Sequence, residues 1–154
     1  MSAESEIPVL LGEAKRIAKE YRRITGRPLG ITGEIAEYEA ARLLDIELSP
    51  VRQAGFDAIR RTPDKEERLQ IKGRCILQNA KPGQRLGRLD LEKKWDAALM
   101  VLLNEDLEAI AIYEADRGTL EEALHRPGSR ARNERGALAV SKFKAVGRKI
   151  WPEQ

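Results

Sequence analysis

The seven residues Ala97-Ala98-Leu99-Met100-Val101-Leu102-Leu103 are all apolar, and Asn104-Glu105-Asp106 ends the run abruptly. A surface helix or a half-buried strand alternates in polarity, whereas this segment has no face to offer water. It reads as a strand covered on both sides. Helices on both faces of a sheet supply such cover, so an α/β (α+β) domain is the first expectation.

The flanking segments fit that layering. Leu10, Ala14, Ile17, Tyr21 and Ile24 recur at helical spacing, which predicts a helix packing this stripe on the core and stopping near Thr25, ahead of Gly26 and Pro28. Thr32 is a suitable N-cap for a second helix through Ile35, Ala36, Ala40, Leu43 and Leu44, with Pro50 closing it. The period then changes: 51–60 and 69–76 read as strands around the turn formers Thr62-Pro63-Asp64-Lys65-Glu66. Residues 79–88 hold Pro82, Gly83, Gly87 and three bases, and read as a mobile basic loop. After the apolar strand come a strand over 109–113, a short helix with Thr119 and Glu122 as its capping box, and a terminal helix through Val140, Phe143, Val146, Gly147 and Ile150. The expectation is one domain over 1–154: an N-terminal helix within 1–26, a core over 31–115 with a central mixed sheet of four to five strands, and basic C-terminal helices over 119–154.

Composition narrows the chemistry. At 154 residues the chain suits a single core, and 42% hydrophobic residues place it outside the disordered class. Cys75 is the one cysteine and His125 the one histidine, which excludes a disulfide framework and a Cys/His zinc cluster. No stretch approaches the roughly 18 apolar residues of a membrane span. The acidic start, Met1-Ser2-Ala3-Glu4-Ser5-Glu6, lacks the features of a leader peptide. A cytoplasmic protein with no membrane partner is expected. The formal net charge of +3 is unevenly spread: residues 126–154 carry eight bases and two acids, while residues 1–125 carry 20 bases and 23 acids. A basic end of this kind can displace the counterions of a nucleic acid.

Phosphate-loop, dinucleotide-binding, metalloprotease and nucleophile-elbow motifs are absent. The hairpin holds the informative residues. Alternation along a strand sends Gln70 and Lys72 to one face and Leu69, Ile71 and Gly73 to the other. With the turn centred near Asp64, antiparallel pairing brings Asp57 opposite a residue close to Ile71, within a position of both Gln70 and Lys72. Glu37 sits at the margin of the packed stripe of the preceding helix, with Glu34 one turn earlier.

Gly33-Glu34-Ile35-Ala36-Glu37 on a helix, Gly55-Phe56-Asp57-Ala58 on a strand and Gln70-Ile71-Lys72-Gly73 on the next resemble the PD-(D/E)XK nuclease superfamily, whose fold is restriction-endonuclease-like. The resemblance covers about residues 31–115. It implies a catalytic set of Asp57, Gln70, Lys72 and Glu37. It also implies a Mg²⁺ (or Mn²⁺) held by Asp57, the Gln70 side chain, the Ile71 carbonyl and Glu37, with Lys72 beside the reacting phosphate. The function implied is metal-dependent hydrolysis of DNA phosphodiester bonds, within a restriction or defence system. Lys81, Arg85 and Arg88 in the loop and Arg130, Arg132 and Arg135 in the basic end would grip the nucleic-acid backbone. Members of the superfamily often cut both strands as homodimers. Two positions depart from the pattern: Phe56 stands where the motif has Pro, and Gln70 where most members have Glu or Asp. The second departure keeps open a catalytically inactive nucleic-acid-binding or accessory protein with the same fold.

Overall fold

Strand order and burial follow from the apolar run. A computed structural model of the chain describes residues 3–50, 55–78, 83–126 and 137–153. Helices α1 (Ala3–Thr25) and α2 (Thr32–Leu44) are followed by strands β1 (Glu47–Leu48), β2 (Ala58–Arg61), β3 (Glu66–Cys75), β4 (Ala97–Leu103) and β5 (Ala109–Asp116). Helices α3 (Arg117–His125) and α4 (Val140–Val146) and strand β6 (Arg148–Trp151) complete the described elements. The six strands make one mixed sheet in chain order. β3 and β4 run parallel, and every other neighbouring pair is antiparallel.

All seven residues of β4 are buried. Ala97, Leu99, Val101 and Leu103 pack with Ile35, Ala36 and Ala40 of α2, whereas Ala98, Met100 and Leu102 pack with Leu120 of α3 and Phe143 of α4. The strand therefore joins two cores, one on each face of the sheet. Burying a Leu or Phe side chain fully stabilises by about 1.5–3 kcal/mol, so these layers supply most of the driving force for the fold.

The approach of α2 to the sheet is set by small residues. A Cβ at Gly73 of β3 would overlap the Cβ of Ala36 and lie 3.3 Å from the Thr32 carbonyl oxygen. With no side chain there, α2 lies close against β3. Glu39, buried on the same helix, is held by Lys15 of α1 at 3.0 Å and by Arg42 at 2.6 Å, which ties α1 to α2.

Several expectations are corrected. The sheet has six strands rather than four to five. β3 begins at Glu66, ahead of the expected position 69, because the turn closes over Thr62–Lys65 with the Thr62 amide donating to the Lys65 carbonyl at 2.9 Å. Residues 51–54 of the expected first hairpin strand lie outside the described residues, and its regular part is Ala58–Arg61. Helix α2 ends at Asp45, whose φ of 54° is left-handed, rather than at Pro50. Ile31 precedes it without a side-chain cap, and Thr32 is its first helical residue. The cap of α3 is Asp116, which accepts from the Thr119 amide at 2.8 Å, in place of a Thr119–Glu122 box. Ile150 belongs to β6 and not to a terminal helix, because Gly147 ends α4: its amide donates to the Phe143 carbonyl at 2.8 Å, and a Cβ there would meet the Glu114 carbonyl oxygen at 2.6 Å. The largest correction concerns α1. Leu10, Ile17, Tyr21 and Ile24 are exposed, and the side turned to the core is that of Leu11 and Ala18.

Candidate functional site

The β2–β3 ladder runs from Arg61 opposite Glu66 to Ala58 opposite Leu69, and there the two strands part. Asp57 sits at the fork. Its amide donates to the Leu69 carbonyl at 2.8 Å, and its carboxylate Oδ2 accepts from the Ile71 amide at 2.7 Å. Asp57 thus bridges the residues on either side of Gln70. A residue's N–H and C=O leave a strand by the same edge, so the Ile71 carbonyl also points toward the edge that Asp57 occupies. Cross-strand partners share a face, and Gln70 and Lys72 lie beside Ala98 and Met100 on the α3/α4 side, whereas Leu69 and Ile71 lie beside Ala97 and Leu99 on the α2 side.

Gln70 is 8% exposed, and its Nε2 donates to the Gly55 carbonyl at 2.7 Å. Gly55 has a φ of 97°, a conformation that glycine adopts without the strain a Cβ would bring. Together these features fix the chain just before Asp57. Ser49 adds a bond from its amide to the Asp57 carbonyl at 2.8 Å.

Glu37 arrives from α2 and is half-buried. Its carboxyl is pushed from the ordinary 4.5 up to about 7, first by burial, then by the charges of Asp57 and Glu34, with Lys72 offsetting part of the effect. Asp57, Lys72 and Glu37 therefore share one electrostatic neighbourhood, and Glu34 stands at its exposed margin. Burial contributes most to this shift, and the neighbouring acids add to it. Among the described residues no group of three or more His, Cys, Asp or Glu side chains is arranged to hold a metal ion. At the fork stand the Asp57 carboxylate, the Gln70 amide and the Ile71 backbone, with the Glu37 carboxyl near enough to respond to the Asp57 charge. Mg²⁺ is commonly bound through one or two carboxylates, waters and substrate phosphates, so this chemistry fits it.

The bases expected to grip nucleic acid are differently placed. Arg88 is exposed. Arg85 is half-buried and donates from Nη1 to the Ala137 carbonyl at 2.5 Å, so it ties the 83–89 segment to the chain before α4. That segment is no free loop: Leu86 and Leu89 are buried, and the Leu86 amide donates to the Leu138 carbonyl at 2.9 Å. Lys81, Arg130, Arg132 and Arg135 lie outside the described residues. Sequence reasoning missed Lys93 and Lys94, which are exposed beside the fork, where the Lys94 amide nitrogen would lie 3.4 Å from a Cβ on Gly55. Their signal was the Lys-Lys pair just ahead of the buried Trp95. It also missed the roles of Gly55 and Gly73, which were visible only as glycines flanking the key residues. His125 is exposed at the end of α3. No helix among the described residues is long and apolar enough to cross a membrane.

Compared with protein-family models and with curated proteins, the chain matches none.

Proposed function

We propose that this chain is a metal-dependent nuclease of the PD-(D/E)XK type, with a restriction-endonuclease-like fold, acting on DNA in the cytoplasm. The observation that carries this reading is the fork itself, where the Asp57 carboxylate accepts from the Ile71 amide beside Gln70 and the half-buried Glu37 carboxyl is raised by burial and then by the Asp57 charge. Asp57, Glu37, the Gln70 amide oxygen and the Ile71 carbonyl would hold a Mg²⁺ or Mn²⁺. When bound, the ion would polarise a phosphate oxygen and lower the pKa of a coordinated water. Lys72 would orient that water or offset charge developing on the phosphate. Glu37, whose carboxyl is pushed up to about 7, would have to be deprotonated to serve as a ligand. Arg88, Lys93 and Lys94 supply contacts to the phosphate backbone, joined by the basic residues of 126–154.

The test is cleavage of plasmid, linear duplex and single-stranded DNA in the presence of Mg²⁺ or Mn²⁺. Wild type is expected to cut at least one of them, and Asp57→Ala and Lys72→Ala to lose at least about a hundredfold in rate, as expected for groups that act on the transition state. Equal background from all three proteins would contradict the reading. One observation favours a second reading. The Gln70 amide nitrogen already holds the Gly55 carbonyl, a structural task that needs no metal. In a non-catalytic DNA-binding or accessory protein that task would be sufficient, and binding would fall steeply with salt while remaining indifferent to Asp57→Ala.

A further inference from the structure

A cavity of about 270 Å³ opens where the last turns of α1 meet the loop leading into α2 and the turn joining β4 to β5. Ala18, Pro28, Leu29, Ile31, Leu77 and Leu107 give it apolar walls. At roughly 30 Å³ per water-sized group it has room for about nine non-hydrogen atoms, close to the lower end of pockets that hold organic ligands. The walls are fixed by the chain itself. Gly30 takes a φ of 83° without strain, whereas the buried Leu107 is held at a φ of 60°. Its amide donates to the Asn104 carbonyl at 3.0 Å, and the Asn104 side chain accepts from the Asp106 and Glu108 amides on either side of it.

The cations along the cavity are not alike. Lys19 pairs with Asp106 at 2.5 Å, and its ammonium is held above its ordinary pKa first by that bond and charge, with Glu105 and Glu108 adding. Arg23 pairs with Glu20. Arg22 is half-buried, forms no ion pair among the described residues, and donates from Nη1 only to the Cys75 sulfur at 3.6 Å. Sulfur is a weak acceptor, so a guanidinium with several N–H donors stands beside an apolar cavity without a strong partner.

We propose that this cavity binds a small apolar carboxylate, its chain or ring against Leu29, Ile31, Leu77 and Leu107 and its two oxygens on the Arg22 guanidinium. The planar fork of arginine matches a carboxylate bidentately. The acids nearby set the charge of the ligand. Glu105 lines the cavity, and Asp106 and Glu108 act on the same Lys19, so a dianionic phosphate or a nucleic-acid backbone would be repelled more strongly than a monoanion. A neutral apolar molecule would fill the walls and leave Arg22 unanswered. The cavity shares no residue with the fork, and the proposal does not rest on the nuclease reading.

Titration of the isotope-labelled full chain with hexanoate, phenylacetate, hexanamide and inorganic phosphate, followed by amide chemical shifts, tests this. At least one of the two carboxylates is expected to saturate with a dissociation constant below about 1 mM and to move the amides of Gly30, Thr32, Leu77 and Leu107, with hexanamide and phosphate at least about tenfold weaker. Arg22→Met keeps the apolar stem and removes the charge, and should lose about tenfold or more of the carboxylate affinity with an unchanged circular dichroism spectrum. Lys19→Met and Arg23→Met remove cations that are already paired, and should change it by less than about threefold. Should Arg22→Met fail to fold, the comparison of carboxylate with amide on wild type decides alone. No saturable shift with either carboxylate, equal binding of the amide or of phosphate, shifts confined to residues away from the cavity, or an Arg22→Met protein that binds like wild type would overturn the proposal. None of these readouts involves DNA or a metal ion.

Discussion

Gln70 is the residue at which the site departs from an all-acid pattern, and its surroundings give a physical reason. Its amide N–H meets the Gly55 carbonyl oxygen, and a carboxylate in the same place would set one acceptor against another in a buried position. Gln70→Glu is therefore expected to lower stability at pH 7.5 by about 1–3 kcal/mol in the absence of divalent ions, measured by chemical denaturation. If the fork binds metal, millimolar Mn²⁺ should restore most of that loss; a deficit unchanged by Mn²⁺ would count against the metal site. Glu37 offers a test with a definite sign. Its folded pKa of about 7 lies above the ordinary 4.5, so the folded chain retains a proton that the unfolded chain loses. Its contribution is fully present below about pH 4.5 and is lost as pH rises through about 7. Allowing for solvent screening, the loss is on the order of 1–2 kcal/mol. Glu37→Gln should match wild type near pH 5 and exceed it by that amount at pH 8 without divalent ions. A stability difference that does not change between those pH values would contradict this assignment.

At the scale of elements, the two glycines beside the site carry the geometry. Gly73→Ala would drive a methyl into Ala36 and push α2 from the sheet, at a cost of about 1–3 kcal/mol and several degrees in Tm. The shift would also move Glu37, so the variant's pH dependence should flatten as its Tm falls; an unchanged Tm would show that α2 is not held by this contact. Some of this was legible in the sequence and some was not. β4 could be read directly, because an apolar run without a polar face has one structural solution. The alternation of Gln70 and Lys72 against Leu69 and Ile71 could be read for the same local reason. The buried side of α1 could not, because two adjacent stripes on that helix are apolar and tertiary contacts, the packing of Leu11 and Ala18 and the clamp of Lys15 on Glu39, select between them. Ile150 continued a helical period by coincidence across Gly147, whose lack of a Cβ the Glu114 carbonyl requires.

At the scale of the molecule, the proposed reading needs the Asp57 and Glu37 carboxylates for a metal and nearby bases such as Arg88, Lys93 and Lys94 for a phosphate backbone. The position of Asp57 near Gln70 was inferable from turn chemistry and strand pairing; the closing of Arg85 onto Ala137 and the nearness of Lys93 and Lys94 to Gly55 were not, since both depend on how the β3–β4 crossover folds back. If Lys93 and Lys94 each contact a phosphate, the double Ala variant should bind duplex DNA with a log–log salt slope shallower by about 1.8 than wild type, and Arg85→Ala should lose stability more than salt dependence. An unchanged slope would remove the two lysines from the interface. The account turns on the fork, and a crystal soaked in Mn²⁺ tests it most directly. It predicts an anomalous peak at about 2.0–2.3 Å from the Asp57 carboxylate, with the Gln70 amide oxygen and the Ile71 carbonyl in the same shell. A fully soaked crystal with no peak between Asp57 and Gln70 would contradict it.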